Sequence, residues 1–478
     1  MNIVQTPART ATDGGTSSGK GTIGFLAVTS IGIGGMVGGG IFAVLGLAVT
    51  LACGGTPIAF ALAGIVAALT AYSYAKLSVR YPSEGGTVTF LNQAFGTGRI
   101  TGSLNILLWL SYLVTLALYA YACGSYGATF FPADQHALWK HVILSSVIIL
   151  FTLINMLGAT FVGKAEKYIV AVKLTILIVV GAAGMFFVKW SSMLPAQWGN
   201  IKDVMGAGHG FSLTNVISLM AGGMIIFVAY EGFELIANTA NDVKNPKKNL
   251  PRAYYSAVGF VIVLYIAIAI VTVGNLPFKE IETAQDYALA AAAEPSLGHF
   301  GFVLVAIAAL LATMSAINAT LYGSARISYI IAKTGELPKR LEKTGKRSPL
   351  PLEGLFLTSI LSLLMANLFH IDRISTMGSA GFLIIFAMVN LSNVLLAKNT
   401  GGKKWISWSG FVVCLIALGA LLWQTASIAP GNLLVLVVMV VAAVLIEVIY
   451  RAITGREIKV AGVGRGRKEQ GGAGRSRE

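Results

Sequence analysis

Apolar residues run along this chain in twelve blocks of 18 to 27 residues, separated by short polar connections. The blocks are 22–48, 57–77, 100–122, 140–157, 168–188 and 216–237, then 253–273, 300–325, 351–368, 374–396, 405–423 and 432–450. At 1.5 Å per residue the blocks span about 27 to 40 Å as α-helices, and all fall at or above the roughly 17 residues that a membrane-crossing helix needs. The first follows a polar stretch of twenty-one residues and is too long for a signal-peptide core, so it reads as a helix that stays. The pattern predicts an all-α membrane protein with twelve transmembrane helices, here numbered as spans one to twelve. Residues 1–21 form a disordered cytoplasmic tail, 22–397 a ten-helix core, 398–455 two further helices and 456–478 a basic disordered tail.

Composition sharpens this picture. Charged residues make up 12% of the chain, against roughly 25% in soluble domains, and 55 glycines accompany only 13 prolines. Small residues at this density suit close packing of membrane helices. The net charge of +15 resembles that of a nucleic-acid binder, but its distribution argues against one. Of 35 Lys and Arg residues, 29 fall on one set of alternate loops and tails and 5 on the other. That asymmetry places both termini in the cytoplasm of a cell-membrane protein and leaves no patch for nucleic acid. Cys53, Cys123 and Cys414 are too few and too scattered for a disulfide framework or a metal site. Cys53 and Cys123 both fall near the outer face, where a bridge is open to them. Two external loops are expected to have some shape: 207–212, which precedes span six outside the membrane, and 278–289, a short helix with Pro277 before it and Pro295 ending the segment.

Two spans carry signs of interruption. Span one reads Gly32-Ile33-Gly34-Gly35-Met36-Val37-Gly38-Gly39-Gly40-Ile41-Phe42, with six glycines in nine residues. Each costs roughly 1 kcal/mol of helix propensity, so a mid-membrane break is the better expectation than a regular helix. A dinucleotide fingerprint is excluded, because no strand–turn–helix unit surrounds it. Residues 14–21 nearly spell a P-loop, but Gly21 follows Lys20 where Ser or Thr is needed, and no strand precedes. Span six contains Gly222-Gly223, then Phe227-Val228-Ala229-Tyr230-Glu231-Gly232-Phe233-Glu234, which places Gly232 and two carboxylates in an apolar run. Breaks at positions one and six suggest a five-plus-five inverted repeat whose half-helix ends meet at the midplane. Free N–H groups there suit an anion and free carbonyls a cation, and one α-amino acid supplies both.

Lys173 lies five residues past Tyr168, about 8 Å into span five. From there an amine could snorkel to the cytoplasmic interface or serve buried chemistry. Glu231 and Glu234 share a helix face if the helix is intact. For Glu231 the candidate roles are proton carrier or substrate contact. Glu234 falls beyond the break, where pairing with a nearby Lys or Arg is the plainer expectation.

These segments resemble the amino acid–polyamine–organocation (APC) superfamily of transporters, whose fold is of the LeuT type. The resemblance rests on Gly38-Gly39-Gly40-Ile41-Phe42 and Arg80-Tyr81-Pro82-Ser83-Glu84-Gly85-Gly86. It rests equally on Phe227 to Glu234 leading into Asn245-Pro246-Lys247-Lys248-Asn249-Leu250-Pro251-Arg252-Ala253, and on Asn318-Ala319-Thr320 with Gly335-Glu336-Leu337-Pro338. Val162-Gly163-Lys164-Ala165-Glu166 followed by Lys173, and the stretch from Leu104 to Leu116, are most similar to the proton-coupled, ApcT-like amino acid permeases. The resemblance implies that a substrate carboxylate meets the amides of Val37, Gly38, Gly39, Gly40 and Ile41. Its amino group would meet carbonyls at Phe227, Val228 and Tyr230, with Glu231 beside it. It also implies that the Lys173 amine stands where sodium sits in sodium-coupled relatives, next to the Gly34 carbonyl and Ser315.

The function expected is secondary active import of amino acids with protons by alternating access, without a cofactor or a metal. Its partners are a small amino acid or related amine, protons and the lipid bilayer. Amino acid–polyamine exchange and cation uptake on the same fold remain open. An enzyme is disfavoured: the five histidines fall in or beside external segments, and no HExxH motif or intramembrane Ser–His pair occurs. A channel is disfavoured by the lack of a repeated selectivity-filter segment or an Arg-rich voltage helix.

Overall fold

The computed structural model describes residues 21–157, 162–206, 219–220, 222–342 and 351–454; the chain ends and the 207–212 segment lie outside the described residues. Within these limits the chain is helical, with two isolated β-bridges and no strand. The helices that build it are α1 (Phe25–Met36), α2 (Gly40–Ala52), α3 (Thr56–Arg80), α4 (Thr87–Phe95), α5 (Arg99–Ala128), α6 (His136–Leu157) and α7 (Val162–Met185). After span six follow α8 (Pro246–Asn275), α9 (Ala288–Thr334), α10 (Leu352–Leu368), α11 (Ile371–Leu395), α12 (Lys404–Ile428) and α13 (Pro430–Thr454). Nine of the described helices are long and apolar enough to cross a membrane, and ten if α1 and α2, bent by 44°, make one span.

Burial sorts them into layers. The apolar window of α5 is 94% buried, while those of α6 and α13 are 22% buried and present Leu, Ile and Val outward. α5 is therefore the central post, packed by α6, α9, α11 and α13, and the outer helices carry a lipid-type surface. Without a hydrophobic force between helices in lipid, polar contacts help fix their register. Ser73 on α3 donates to Asn390 on α11 at 2.7 Å, and Asn390 donates in turn to Thr70 at 2.9 Å. Asn393 donates to Ser407 on α12 at 2.8 Å, so three helices share one buried polar seam.

Helix starts follow local chemistry. α8 begins with Pro246 after Asn245 in the left-handed conformation (φ 48°), and α3 has Pro57 in its first turn. The external segment differs from expectation. Phe278–Thr283 is helical, but Pro295 does not end the element. The helix runs through Pro295 and changes direction at Gly298 (φ 62°) before continuing to Thr334. Pro295 removes only the N–H that would bond the Ala291 carbonyl, while Gly298 takes a conformation that other residues rarely adopt. All three cysteines are buried and free, so Cys53 and Cys123 are not bridged.

The two bridges relate the interrupted spans. Ile23, entering α1, pairs with Val243 after span six; Cys53, leaving α2, pairs with Trp198 before it. The amides of Thr22 and Ile23 donate to Asp242 at 2.8 and 2.9 Å, and Gly54 N–H donates to Gln197 at 2.9 Å. The start of one span thus lies at the end of the other, and the two run antiparallel.

Candidate functional site at the two helix breaks

Span one breaks where its glycines cluster. α1 stops at Met36, Val37 leaves helical geometry (ψ 41°), and α2 restarts at Gly40. The first amides of α2 have no carbonyl one turn earlier to bond, which leaves a set of N–H groups directed into the gap. Span six tightens into a 3-10 turn at Ile226–Tyr230, opens at Glu231 (ψ 154°) and passes through Gly232 at φ 111° before the short helix Leu235–Asn238. Both interruptions expected from the sequence are present.

They touch through backbone. A Cβ placed on Gly232 would stand 2.6 Å from the Met36 nitrogen, one on Gly35 would stand 2.8 Å from the Gly232 carbonyl, and one on Gly40 would stand 2.6 Å from Ala229 Cα. Gly232 therefore serves two needs, a left-handed φ and an approach that any side chain would block. Val37, Ile41, Phe227, Val228 and Tyr230 are fully buried, as are Gly38, Gly39 and Gly40; Glu231 is 3% exposed. The structure thus brings the site residues of both spans together and closes them from solvent.

Several partners were invisible in sequence. The Tyr265 hydroxyl on α8 lies 2.7 Å from the Met36 carbonyl and 3.1 Å from that of Ala229, so one O–H serves both breaks. Ser379 on α11 accepts from Val228 N–H at 3.1 Å and donates to the Ile225 carbonyl at 2.7 Å; Ser375 donates to that same carbonyl at 2.8 Å. Tyr230 turns away and donates to the Phe60 carbonyl at 2.9 Å. The Val228 carbonyl, expected for a substrate amine, accepts from Glu231 N–H at 3.3 Å in this closed arrangement. The Tyr119 ring on α5 fills the space beside Gly39, where an added Cβ would fall 2.8 Å from its Cγ. A Tyr and a Ser on other helices announce nothing by spacing; only the fold assembles them.

The ionisable groups divide. Lys173 is 0% exposed and donates to the Gly34 carbonyl at 3.0 Å, so its amine is turned into the protein and not out to an interface. Ser315 is buried on α9, which packs against α7. Glu234 overturns the expectation of a basic partner. Its carboxyl accepts from Gly232 N–H at 2.6 Å and from the Tyr112 hydroxyl at 3.1 Å, and among the described residues it joins no ion pair. The reason is the Gly232 turn, which folds Glu234 back over the break instead of outward. Glu231 receives the Tyr119 hydroxyl at 3.5 Å. Among the described residues no three His, Cys, Asp or Glu side chains gather as metal ligands.

A family model described as amino acid permease matches residues 23–445, from just before α1 into α13. The chain belongs to the amino acid permease family. An uncharacterized protein of Methanocaldococcus jannaschii is 35% identical over 89% of this chain and 94% of its own. The inner membrane transport protein YbaT of Escherichia coli is 35% identical over 84% of this chain and 90% of its own. The methylthioribose transporter of Bacillus subtilis is 25% identical over 90% and 93%. This permease is thus a multi-pass membrane transporter of the APC superfamily, not an enzyme.

Proposed function

We propose that this permease imports amino acids across the cell membrane by alternating access, driven by protons through Lys173. The fold we assign is twelve spans with a LeuT-type five-plus-five inverted repeat, both termini in the cytoplasm. The observation that carries the reading is the fully buried Lys173 amine donating to the Gly34 carbonyl, two residues from the end of α1. An ammonium held there supplies fixed positive charge at the break without sodium, and a lysine, unlike an arginine, is able to release its proton. The substrate carboxylate is assigned to the amides of Val37, Gly38, Gly39, Gly40 and Ile41. Its ammonium is assigned to carbonyls of Phe227, Val228 and Tyr230 with Glu231 alongside. The antiparallel contact of the two interrupted spans supports this pairing of opposite half-helix ends.

The test is uptake of a radiolabelled amino acid panel into proteoliposomes in sodium-free buffer with an inward proton gradient. Wild type is expected to accumulate substrate, Lys173→Ala to lose accumulation while retaining some binding, and Lys173→Arg to fail nearly as fully because guanidinium keeps its proton. Strict sodium dependence of wild type, or full gradient-driven uptake by Lys173→Ala, removes Lys173 from coupling.

A further inference from the structure

A cavity of about 340 Å³ opens where the end of α3, the start of α8 and the loop from α11 into α12 meet. Its walls include Tyr72, Lys76, Pro251, Tyr255, Lys403 and Ile406, and no Asp or Glu lines it. Small-molecule sites have volumes of roughly 300–1,000 Å³, so it is large enough to hold a headgroup. Two hydrogen bonds fix its walls. The Tyr72 hydroxyl accepts from Lys403 N–H at 2.6 Å, and the Lys76 amine donates to the Gly401 carbonyl at 3.3 Å. Gly401 stands at φ 63°, which lets the loop turn back onto α3. Charge at the cavity is one-sided. The segments 76–80, 246–255 and 397–406 hold eight Lys or Arg and no Asp or Glu. Among the described residues none of the eight joins an ion pair. Polarity is graded along the helices. Lys76 lies one turn from the end of α3 and Tyr72 one turn further in, about 6 and 12 Å along the axis. Tyr255 lies about 14 Å into α8, while Lys403 precedes α12. The basic groups therefore stand toward the helix ends and the rings deeper. Trp405 and Tyr255 are 68% and 47% exposed, as aromatic rings are where hydrocarbon meets headgroups.

We propose that this cavity binds the phosphate of an anionic phospholipid. The phosphate sits at Lys76 and Lys403, and the glycerol and first acyl carbons lie against Tyr72 and Tyr255. An ammonium has three N–H donors, and the Gly401 carbonyl occupies only one of those on Lys76. A free phosphate meets the basic rim alone and gains nothing from the rings. A zwitterionic headgroup carries a second ammonium into a field that is already positive, so an anionic one is preferred. With the termini in the cytoplasm, as proposed above, the cavity faces the inner leaflet, whose surface is negative. Its chemistry does not otherwise depend on that reading. A lipid seated here bridges α3, α8 and α12. α8 also carries Tyr265, whose hydroxyl serves both helix breaks, so the site rests on an element of the crossing.

The test reads binding, not transport. The full-length protein in detergent is titrated with phosphatidylglycerol, with phosphatidylcholine of the same acyl chains, and with inorganic phosphate or glycerol 3-phosphate. Bound lipid is followed by native mass spectrometry and by melting temperature. Phosphatidylglycerol is expected to bind and to raise the melting temperature more than phosphatidylcholine, and neither soluble phosphate is expected to displace it. Lys76→Gln and Lys403→Gln are each expected to weaken phosphatidylglycerol binding about fivefold, and together more than about tenfold. Lys76→Arg/Lys403→Arg keeps the charge and is expected to keep the binding. Lys247→Gln/Lys248→Gln removes equal charge from the exposed first turn of α8, outside the cavity, and is expected to leave the affinity unchanged. Equal losses in the two Gln double variants would mean diffuse attraction to a basic face and overturn the site. No preference for phosphatidylglycerol over phosphatidylcholine overturns the anionic headgroup. Displacement of the lipid by inorganic phosphate or glycerol 3-phosphate reassigns the cavity to a soluble phosphate and overturns the lipid. Failure of proton-driven uptake alongside selective lipid binding counts against Lys173 coupling and leaves this site standing.

Discussion

At the level of single residues, steric and protonic arguments give separate predictions. Gly39 has the Tyr119 ring where a side chain would go, and Tyr119 in turn reaches Glu231. Gly39→Val is expected to displace Tyr119 and fill the gap between the half-helices, with uptake falling more than tenfold while the purified protein stays monodisperse. Binding within twofold of wild type would place the site elsewhere. Glu336, just beyond the end of α9, offers a test of stability against pH. It is 1% exposed, and the Asn105 amide donates to it at 2.9 Å. Burial pushes its carboxyl up to about 7, the Glu447 charge adds to this, and Asn105 and Arg451 oppose it. An acid whose folded pKa is raised favours the folded state while protonated, so stability is highest at acid pH and falls as pH rises from about 4.5 to about 7. The shift corresponds to an upper bound of about 3 kcal/mol. Melting temperature in detergent is expected to decline across that window in wild type and to stay flat in Glu336→Gln. Parallel curves would mean that Glu336 ionises normally. Lys173 shows how far one residue type can be read: a lone lysine in an apolar run marked a buried role or a snorkelling one, and only the Gly34 contact separates the two.

At the level of elements, the break in span one was legible because glycine density is a local property that acts on helix propensity directly. The break in span six was legible through Gly232 and its two carboxylates. The supports of that break were not. Ser375 and Ser379 are four residues apart on α11, one turn, and both reach the Ile225 carbonyl, while Ser379 alone also receives Val228 N–H. Removing Ser379 leaves a buried amide without its partner, a loss of about 1–3 kcal/mol. Removing Ser375 leaves Ile225 still served. Ser379→Ala is therefore expected to lower the melting temperature and weaken substrate affinity clearly more than Ser375→Ala. Equal effects would show that Val228 finds another acceptor. The kink at Gly298 was missed for a related reason: Pro295 is the louder local signal, but whether a proline ends a helix depends on where the freed carbonyl finds itself, and that is a tertiary matter.

At the scale of the whole molecule, the same closed crossing must open to each side in turn if substrate is to pass. Two partly exposed ion pairs stand far apart along the chain and join elements that flank the crossing. Lys140 at the start of α6 meets Asp286 in the loop before α9 at 3.3 Å, backed by the hydroxyls of Tyr121 and Ser125. Arg326 near the far end of α9 meets Glu84 in the loop after α3. With the termini in the cytoplasm, as proposed above, the first would face outward and the second inward. Pairs with this much solvent access are worth about 0–1 kcal/mol each, little enough to break once per transport cycle and still bias which side is shut. Asp286→Asn should then shift the population toward outward opening and Glu84→Gln toward inward opening. The measurement is labelling of a single cysteine placed at Ala229 by membrane-impermeant reagent, in the protein with its three native cysteines replaced by serine. Asp286→Asn is expected to speed labelling from outside and Glu84→Gln from inside, with the double variant restoring the balance. If both substitutions raise labelling from the same side, the two pairs do not act as opposing gates. If neither changes it, the closed state is held by the Gly35–Gly232 crossing alone.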